Sequence, residues 1–175
     1  MRQLTFNGYL ESYVPYLAGE STLALPRLVE LLPKEPRLAA PLLLWATVSG
    51  RANRLDRLLR DDKLRQELEV LTSLRSESRL EAALAAEDPR LRPEYSKAWR
   101  SYVARRDTAK RDADLKLKVR KRALALLEEK GVSRYRVARD LGLNDGNLFA
   151  FLAQGNTSKL SLERAFGILN YLEAA

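Results

Sequence analysis

The sequence contains no cysteine and no histidine. The first absence excludes disulfide bonds and thiolate-ligated zinc sites, and the second removes the commonest metal ligand and the commonest general base. Catalysis would have to rely on carboxylates, lysine or a serine without an evident base. A glycine loop that could cradle a phosphate group is also absent. The composition therefore predicts a protein that is not an enzyme and that has no metal site and no cofactor.

The remaining candidates for acid–base chemistry are pairs of carboxylates. Each pair occupies adjacent or i,i+2 positions, and such positions point apart on a helix. We therefore expect these side chains to be solvated rather than catalytic. The pairs are Asp61 and Asp62, Asp112 and Asp114, and Glu128 and Glu129.

Long apolar runs are lacking as well. The longest, residues 38–48, contains Pro41 and falls far short of the ~20 residues that a membrane span needs. No N-terminal stretch has the charged-then-apolar form of a signal peptide. The sequence thus predicts a soluble, cytoplasmic protein with no membrane partner.

Positive charge is present in excess, and it is unevenly distributed. The net charge is +8, but residues 1–92 hold 14 basic and 13 acidic side chains, whereas residues 93–175 hold 17 and 10. The excess is densest over residues 97–139, with 15 basic and 5 acidic side chains. Such an asymmetry indicates a half that faces a polyanion and a neutral half with another role. The alternative is that the basic residues only keep the surface soluble.

The apolar residues recur at helical spacing, and no segment has the period-2 pattern of a strand. We therefore predict an all-α protein. Residues 1–92 should form an N-terminal helical bundle that serves dimerisation or partner binding. Within it, Ser21 should cap a helix over residues 23–32. The sequence has no repeat of fixed period, so a solenoid is not supported. Residues 93–114 should form a basic connecting helix, although two helices with a polar joint, or pairing with a second copy, are alternatives. Residues 115–175 should form a helix-turn-helix DNA-binding domain.

The segment from Ser133 to Gly155 carries this last prediction. Ser133 can cap one short helix and Asn144 a second, because their side chains can accept bonds from unpaired backbone N–H groups. Gly142 suits a turn that requires a positive φ, and the small Ala138 allows a second helix to cross closely. The apolar residues that would hold the two helices together are Val137, Leu141, Leu148, Phe151 and Leu152. A loop over residues 156–160 then leads to a final helix, capped by Ser161, with Leu162, Phe166, Leu169 and Leu172 on one face.

Residues 115–172 resemble the lambda-repressor-like helix-turn-helix family of the Cro/repressor (XRE) type. The resemblance rests on the apolar–Ala pair of the first motif helix, the Leu-Gly-Leu turn, two apolar positions of the second helix, its closing glycine, and the entry into the final helix. These residues are Val137, Ala138, Leu141, Gly142, Leu143, Leu148, Phe151, Gly155, and Lys159 to Glu163.

The resemblance implies that the second motif helix lies in the DNA major groove. Asn147 would then read a base, since an amide can pair with adenine through two hydrogen bonds. Asn144 would be shared between capping and contact, and Asp145 could accept from a cytosine amino group. Gly146 and Ala150, together with Ala153, would face away from the apolar stripe and let the backbone approach closely. Ala150 could also touch a thymine methyl group.

No lysine or arginine occurs between Asn144 and Gly155. Contacts to the DNA phosphates would therefore come from neighbouring residues, and such contacts position the domain without reading the base sequence. For each of these side chains the alternative is a solvated surface group. The candidates are Arg134, Arg136, Thr157, Ser158, Lys159 and Lys121, with Lys116 and Lys118 as further possibilities.

These observations predict a sequence-specific double-stranded DNA-binding transcriptional regulator, a repressor of its own operon that acts as a homodimer on paired half-sites. The alternative is an antitoxin-like protein. Such a protein would neutralise a partner from the same operon through its N-terminal half and regulate its own gene through the helix-turn-helix.

Overall fold

The computed structural model describes residues 4–175, and within that range the chain forms α-helices, two short 3-10 turns and no strand. The all-α prediction is confirmed. None of the helices in this range is both long enough and apolar enough to cross a membrane. The helices are α1 (Phe6–Ala18), α2 (Leu25–Leu31), α3 (Ala39–Val48), α4 (Ala52–Leu58), α5 (Asp62–Ser73), α6 (Glu77–Ala85), α7 (Pro93–Lys130), α8 (Arg134–Asp140), α9 (Asp145–Leu152) and α10 (Leu162–Ala174). The 3-10 turns are Pro36–Leu38 and Thr157–Lys159.

The described chain divides into two compact units, residues 4–105 and residues 106–175. The division falls inside α7, which is one continuous helix of 38 residues rather than two helices with a joint. The first part of α7 therefore contributes to the core of the N-terminal unit and the last part to the core of the C-terminal unit.

The N-terminal unit is built around α3. Eight of the residues of α3 are buried, including Trp45, which is 1% exposed. A helix whose sequence is apolar on all sides must be covered on all sides, which explains its central place. From α7 the same core takes Tyr95 and Tyr102, and the Tyr102 hydroxyl donates a hydrogen bond to the Leu4 carbonyl oxygen at 3.0 Å.

The start of α2 differs from the sequence prediction. Ser21 does not cap this helix; α2 begins at Leu25 after Ala24, which forms no side-chain cap bond. Pro26 occupies the first turn instead. Its fixed φ and missing N–H group suit that position, so the proline sets the start of the helix without a polar cap.

A polar cluster joins α5 to the start of α7 in the N-terminal unit. The Glu67 carboxylate accepts hydrogen bonds from Arg92 Nη1 at 3.1 Å and from the Tyr95 hydroxyl at 2.7 Å. Tyr95 is 1% exposed, and its burial, followed by the bond to Glu67, raises the pKa of the phenol above its ordinary value. The cluster thus satisfies a phenol that lies inside an apolar core.

The C-terminal unit has a core of its own, made by the end of α7 and by α8, α9 and α10. On α10 the buried residues are Ala165, Ile168 and Leu172, whereas Phe166 is 40% exposed. The predicted inward face of α10 is therefore wrong at Phe166. The buried face of α10 runs through Ala165, Ile168 and Leu172, and Phe166, adjacent to Ala165 in the sequence, lies outside it.

Candidate nucleic-acid interface

Both predicted caps of the helix-turn-helix are present. The Ser133 hydroxyl accepts a bond from the Arg136 N–H at 3.2 Å at the start of α8, and Asn144 Oδ1 accepts from the Asn147 N–H at 3.0 Å at the start of α9. Between the helices, Gly142 has a φ of 60°. These three local features define the ends and the turn of the motif, as predicted from the sequence.

The two helices are held together by a small, fully apolar contact. Ala138 of α8 is 4% exposed, and Leu148 and Phe151 of α9 are completely buried in the same core. The absence of a larger side chain at position 138 lets the helices approach each other. Packing therefore fixes the position of α9 against α8.

The turn provides a test of the motif's stability. We expect Gly142→Ala to lower the free energy of unfolding of the C-terminal unit by about 1–2 kcal/mol, because alanine is strained at a positive φ. No atom lies within 4 Å of where the new Cβ would stand, so a clash contributes nothing. Amide hydrogen exchange of α9 would measure the change.

Gly167 within α10 offers the matched control, since its Cβ would also meet no atom within 4 Å. There the backbone is helical, and Gly167→Ala should stabilise the unit by about 0.5–1 kcal/mol. Equal effects of the two substitutions would contradict the backbone explanation.

Two basic residues of α7 donate hydrogen bonds to backbone carbonyl oxygens at and after the end of α9. Arg120 Nε donates to the carbonyl oxygens of Phe151 at 3.1 Å and Leu152 at 2.9 Å. A cation at the last carbonyls of α9 is favourable because it complements the negative end of the helix dipole. Lys116 Nζ similarly donates to the Thr157 carbonyl oxygen at 3.2 Å. Arg120 is distant in sequence from its partners, and no local pattern predicts this role.

Four of the five residues predicted to read bases present surface at the start of α9. Asn144, Asp145 and Gly146 are exposed and Asn147 is half-buried. Ala150 is only 9% exposed, so its predicted place on the open side of α9 is wrong. The end of α9 is closed by backbone bonds, from the Gly155 N–H to the Phe151 carbonyl oxygen at 3.1 Å and from the Asn156 N–H to the Ala150 carbonyl oxygen at 2.9 Å. The turn that follows, Thr157–Lys159, packs against α9.

The predicted phosphate-binding residues are placed less uniformly. Ser158, Lys159 and Lys121 are exposed, whereas Thr157 is 5% exposed and its side chain offers almost no surface to a ligand. The Ser158 hydroxyl donates to Asn156 Oδ1 at 2.6 Å. That bond is local to the loop, and the segment Thr157–Lys159 also packs against α9.

Arg134 and Arg136 are both exposed at the start of α8, but their surroundings differ. The Arg134 guanidinium carbon lies 4.8 Å from the centroid of the Phe149 ring, which places this cation beside α9. Arg136 Nε lies 3.6 Å from Asp140 Oδ2. Of these two arginines, Arg134 is therefore the one that contacts the proposed base-reading helix.

Asp140 connects α8 to α10. It accepts a hydrogen bond from the Tyr171 hydroxyl at 2.6 Å and lies within 2.9 Å of Arg139 Nη2. The bond from Tyr171, then that from Arg139, holds the pKa of the Asp140 carboxyl below its ordinary value. The carboxylate stays charged at neutral pH, and it competes with any phosphate for Arg136.

Two exposed aromatic residues were not predicted as part of the interface. Tyr135 is 68% exposed and Phe149 is 44% exposed, and both line a surface groove of about 630 Å³ in the C-terminal unit. From the sequence, Phe149 is assigned neither to the core nor to the interface. The usable signal was its position, one turn after the exposed Asp145 and outside the stripe of Leu148, Phe151 and Leu152.

Within residues 4–175 no cluster of three or more acidic side chains is arranged to hold a metal ion. Comparisons of the chain with family models, with curated proteins and with solved structures give no match. The arguments for function therefore rest on the geometry of the site.

Proposed function

We propose that this protein is a sequence-specific double-stranded DNA-binding transcriptional regulator that acts as a homodimer and represses its own operon. Residues 133–155 would present α9 to the major groove. This role implies a cytoplasmic location, because that is where a repressor binds its operator.

One observation supports this proposal most strongly. Two short helices, each closed by a side-chain cap, meet at a turn in which Gly142 has a positive φ and are packed through the small, buried Ala138. This arrangement fixes α9 while leaving its first turn open to solvent. Helix-turn-helix proteins use such a helix to bring its N-terminal residues to base edges.

The surrounding charge fits a polyanionic ligand. Arg134 is exposed beside α9, and Lys159 is exposed in the segment that packs against the end of α9. Contacts of this kind bind phosphate in any sequence, whereas the amides of Asn144 and Asn147 could discriminate among bases. A single small domain buries limited DNA surface, and a homodimer on two half-sites about one helical turn apart would double it.

The direct test is a footprint of the purified full-length protein on the DNA upstream of its own gene. Symmetric protection of two half-sites would support both the regulator and the homodimer. Light scattering of the free protein at micromolar concentration tests the dimer separately, and a monomer would count against it. Protection of no site, with only weak and salt-sensitive binding to all DNA, would overturn the proposed function.

Asn147 provides a prediction about specificity. We expect Asn147→Ala to reduce the discrimination at one base pair of each half-site by about 1–3 kcal/mol, because the bidentate amide contact is lost. Binding to unrelated DNA should stay unchanged. Competition binding with duplexes altered at single positions would measure this. An equal loss on all sequences would instead mean that Asn147 has no base-reading role.

A further inference from the structure

Phe149 stands out among the residues of α9 because the core does not use it. Its neighbours Leu148, Ala150 and Phe151 are buried, yet Phe149 itself is 44% exposed. It lies four residues after the exposed Asp145, and side chains at this spacing share one face of a helix. The ring therefore lies on the same open face as the first turn of α9.

The immediate surroundings of Phe149 distinguish it from an incidental surface residue. The guanidinium carbon of Arg134 lies 4.8 Å from the ring centroid, a distance at which a cation is attracted to an aromatic face. The groove that Phe149 lines also includes Leu124, Leu127 and Val132 and the carboxylates of Glu128 and Asp145, so its charge is mixed. At the point where Arg134 meets the ring, the surface suits a ligand with an apolar group next to a negative charge.

We propose that Phe149 contacts the C5-methyl group of a thymine in the major groove, while Arg134 reaches the adjacent phosphate backbone. This inference rests on the proposed function and assigns a base to a residue outside the amide pair. Ala150, which is expected from the sequence to touch a thymine methyl group, is only 9% exposed, so it is poorly placed for this contact.

The chemistry of the base edges selects thymine. In the major groove, guanine, adenine and cytosine present hydrogen-bond donors and acceptors, and thymine alone adds a methyl group. A phenyl ring pressed against those polar groups would leave them without partners, which is unfavourable. Burying one methyl group is worth about 0.8 kcal/mol, or roughly a fourfold change in affinity.

The test removes that methyl group alone. A duplex is selected from a random pool with the full-length protein, and each thymine in it is then replaced in turn by deoxyuridine, which differs only at C5. Wild-type protein should bind about fourfold more weakly when one particular thymine is replaced in a single half-site. Phe149→Ala should bind the thymine and deoxyuridine duplexes equally well.

Phe166 supplies the matched control. It is exposed to a similar degree, at 40%, but it lies on α10. Phe166→Ala should keep the full preference for thymine. Phe149→Leu retains an apolar side chain and should therefore keep part of the preference for thymine. This variant controls for a general loss of binding caused by truncating the side chain.

The outcomes separate this inference from the function on which it rests. Failure of any sequence to be enriched overturns the proposed function and the Phe149 contact together. An enriched sequence that tolerates deoxyuridine at every position overturns the Phe149 contact alone. So does a preference for thymine that survives in Phe149→Ala, or an equal loss of affinity for both duplexes in that variant, which would mean that the ring only positions Arg134.

Discussion

Replacing both Arg134 and Arg136 with alanine is expected to weaken binding to every duplex DNA by about tenfold to a hundredfold near 0.1 M salt. Both side chains are exposed at the start of α8. Each phosphate contact releases condensed counterions, so the loss should be independent of sequence. The slope of log affinity against log salt should fall by about 0.9 for each lost contact.

The two arginines are not expected to contribute equally. Arg136 Nε lies 3.6 Å from Asp140, whose carboxylate remains charged, whereas Arg134 is held beside Phe149. Arg136 must give up part of its ion pair before it can bind phosphate. We therefore expect Arg134→Ala alone to cause more than half of the loss in the double variant.

Fluorescence anisotropy with a selected duplex and an unrelated duplex, each over a range of salt concentrations, would measure both effects. The control is the double variant Arg54→Ala and Arg57→Ala, which removes the same charge from exposed positions of α4. Its salt slope should remain that of the wild type. If the two double variants weaken binding equally, net charge and not the start of α8 is responsible.

The parts of the motif that could be predicted from sequence depend on neighbouring residues. Ser133 and Asn144 cap their helices through bonds to N–H groups three residues later, and Gly142 adopts its positive φ within a short turn. The residue type and its immediate neighbours contain nearly all the information that such features need. Helix ends and turn residues can therefore be predicted before any tertiary structure is known.

The exposed faces of the short helices could not be predicted in the same way. Ala150 is 9% exposed although it lies outside the apolar stripe of α9, and Phe166 is 40% exposed although the sequence predicts it on the inward face of α10. On a helix as short as α9, neighbours can cover more than the obvious apolar stripe. Segments distant in the sequence decide which side of such a helix stays exposed, so the apolar pattern of the helix alone does not predict that side.

The same limit applies to the N-terminal unit. Glu67 lies on α5, whereas Tyr95 lies on α7 and Arg92 directly precedes α7, more than twenty residues later in the sequence. Glu67 has the spacing of an ordinary surface residue on α5, and only the bonds from Arg92 and Tyr95 show that it is a half-buried acceptor. Its importance for stability therefore emerges from the fold alone.

Glu67→Ala is expected to lower the free energy of unfolding of the N-terminal unit by about 2–3 kcal/mol. The substitution leaves the phenol of Tyr95, which is 1% exposed, without its acceptor and removes the main partner of Arg92. Arg92 retains Glu94 at 3.3 Å, which limits the cost on that side. The larger part of the effect should therefore come from the unpaired hydroxyl group.

Denaturant unfolding followed by tryptophan fluorescence would measure this loss, because Trp45 and Trp99 both belong to the N-terminal unit. Glu69→Ala, an exposed glutamate of the same helix, is the control and should change the midpoint little. Adding Tyr95→Phe to Glu67→Ala should recover part of the lost stability, since the phenyl ring needs no acceptor. If Tyr95→Phe brings no recovery, the cost of Glu67→Ala arises from Arg92 and the hydroxyl group is satisfied in another way; if Glu67→Ala behaves like Glu69→Ala, the cluster does not stabilise the unit.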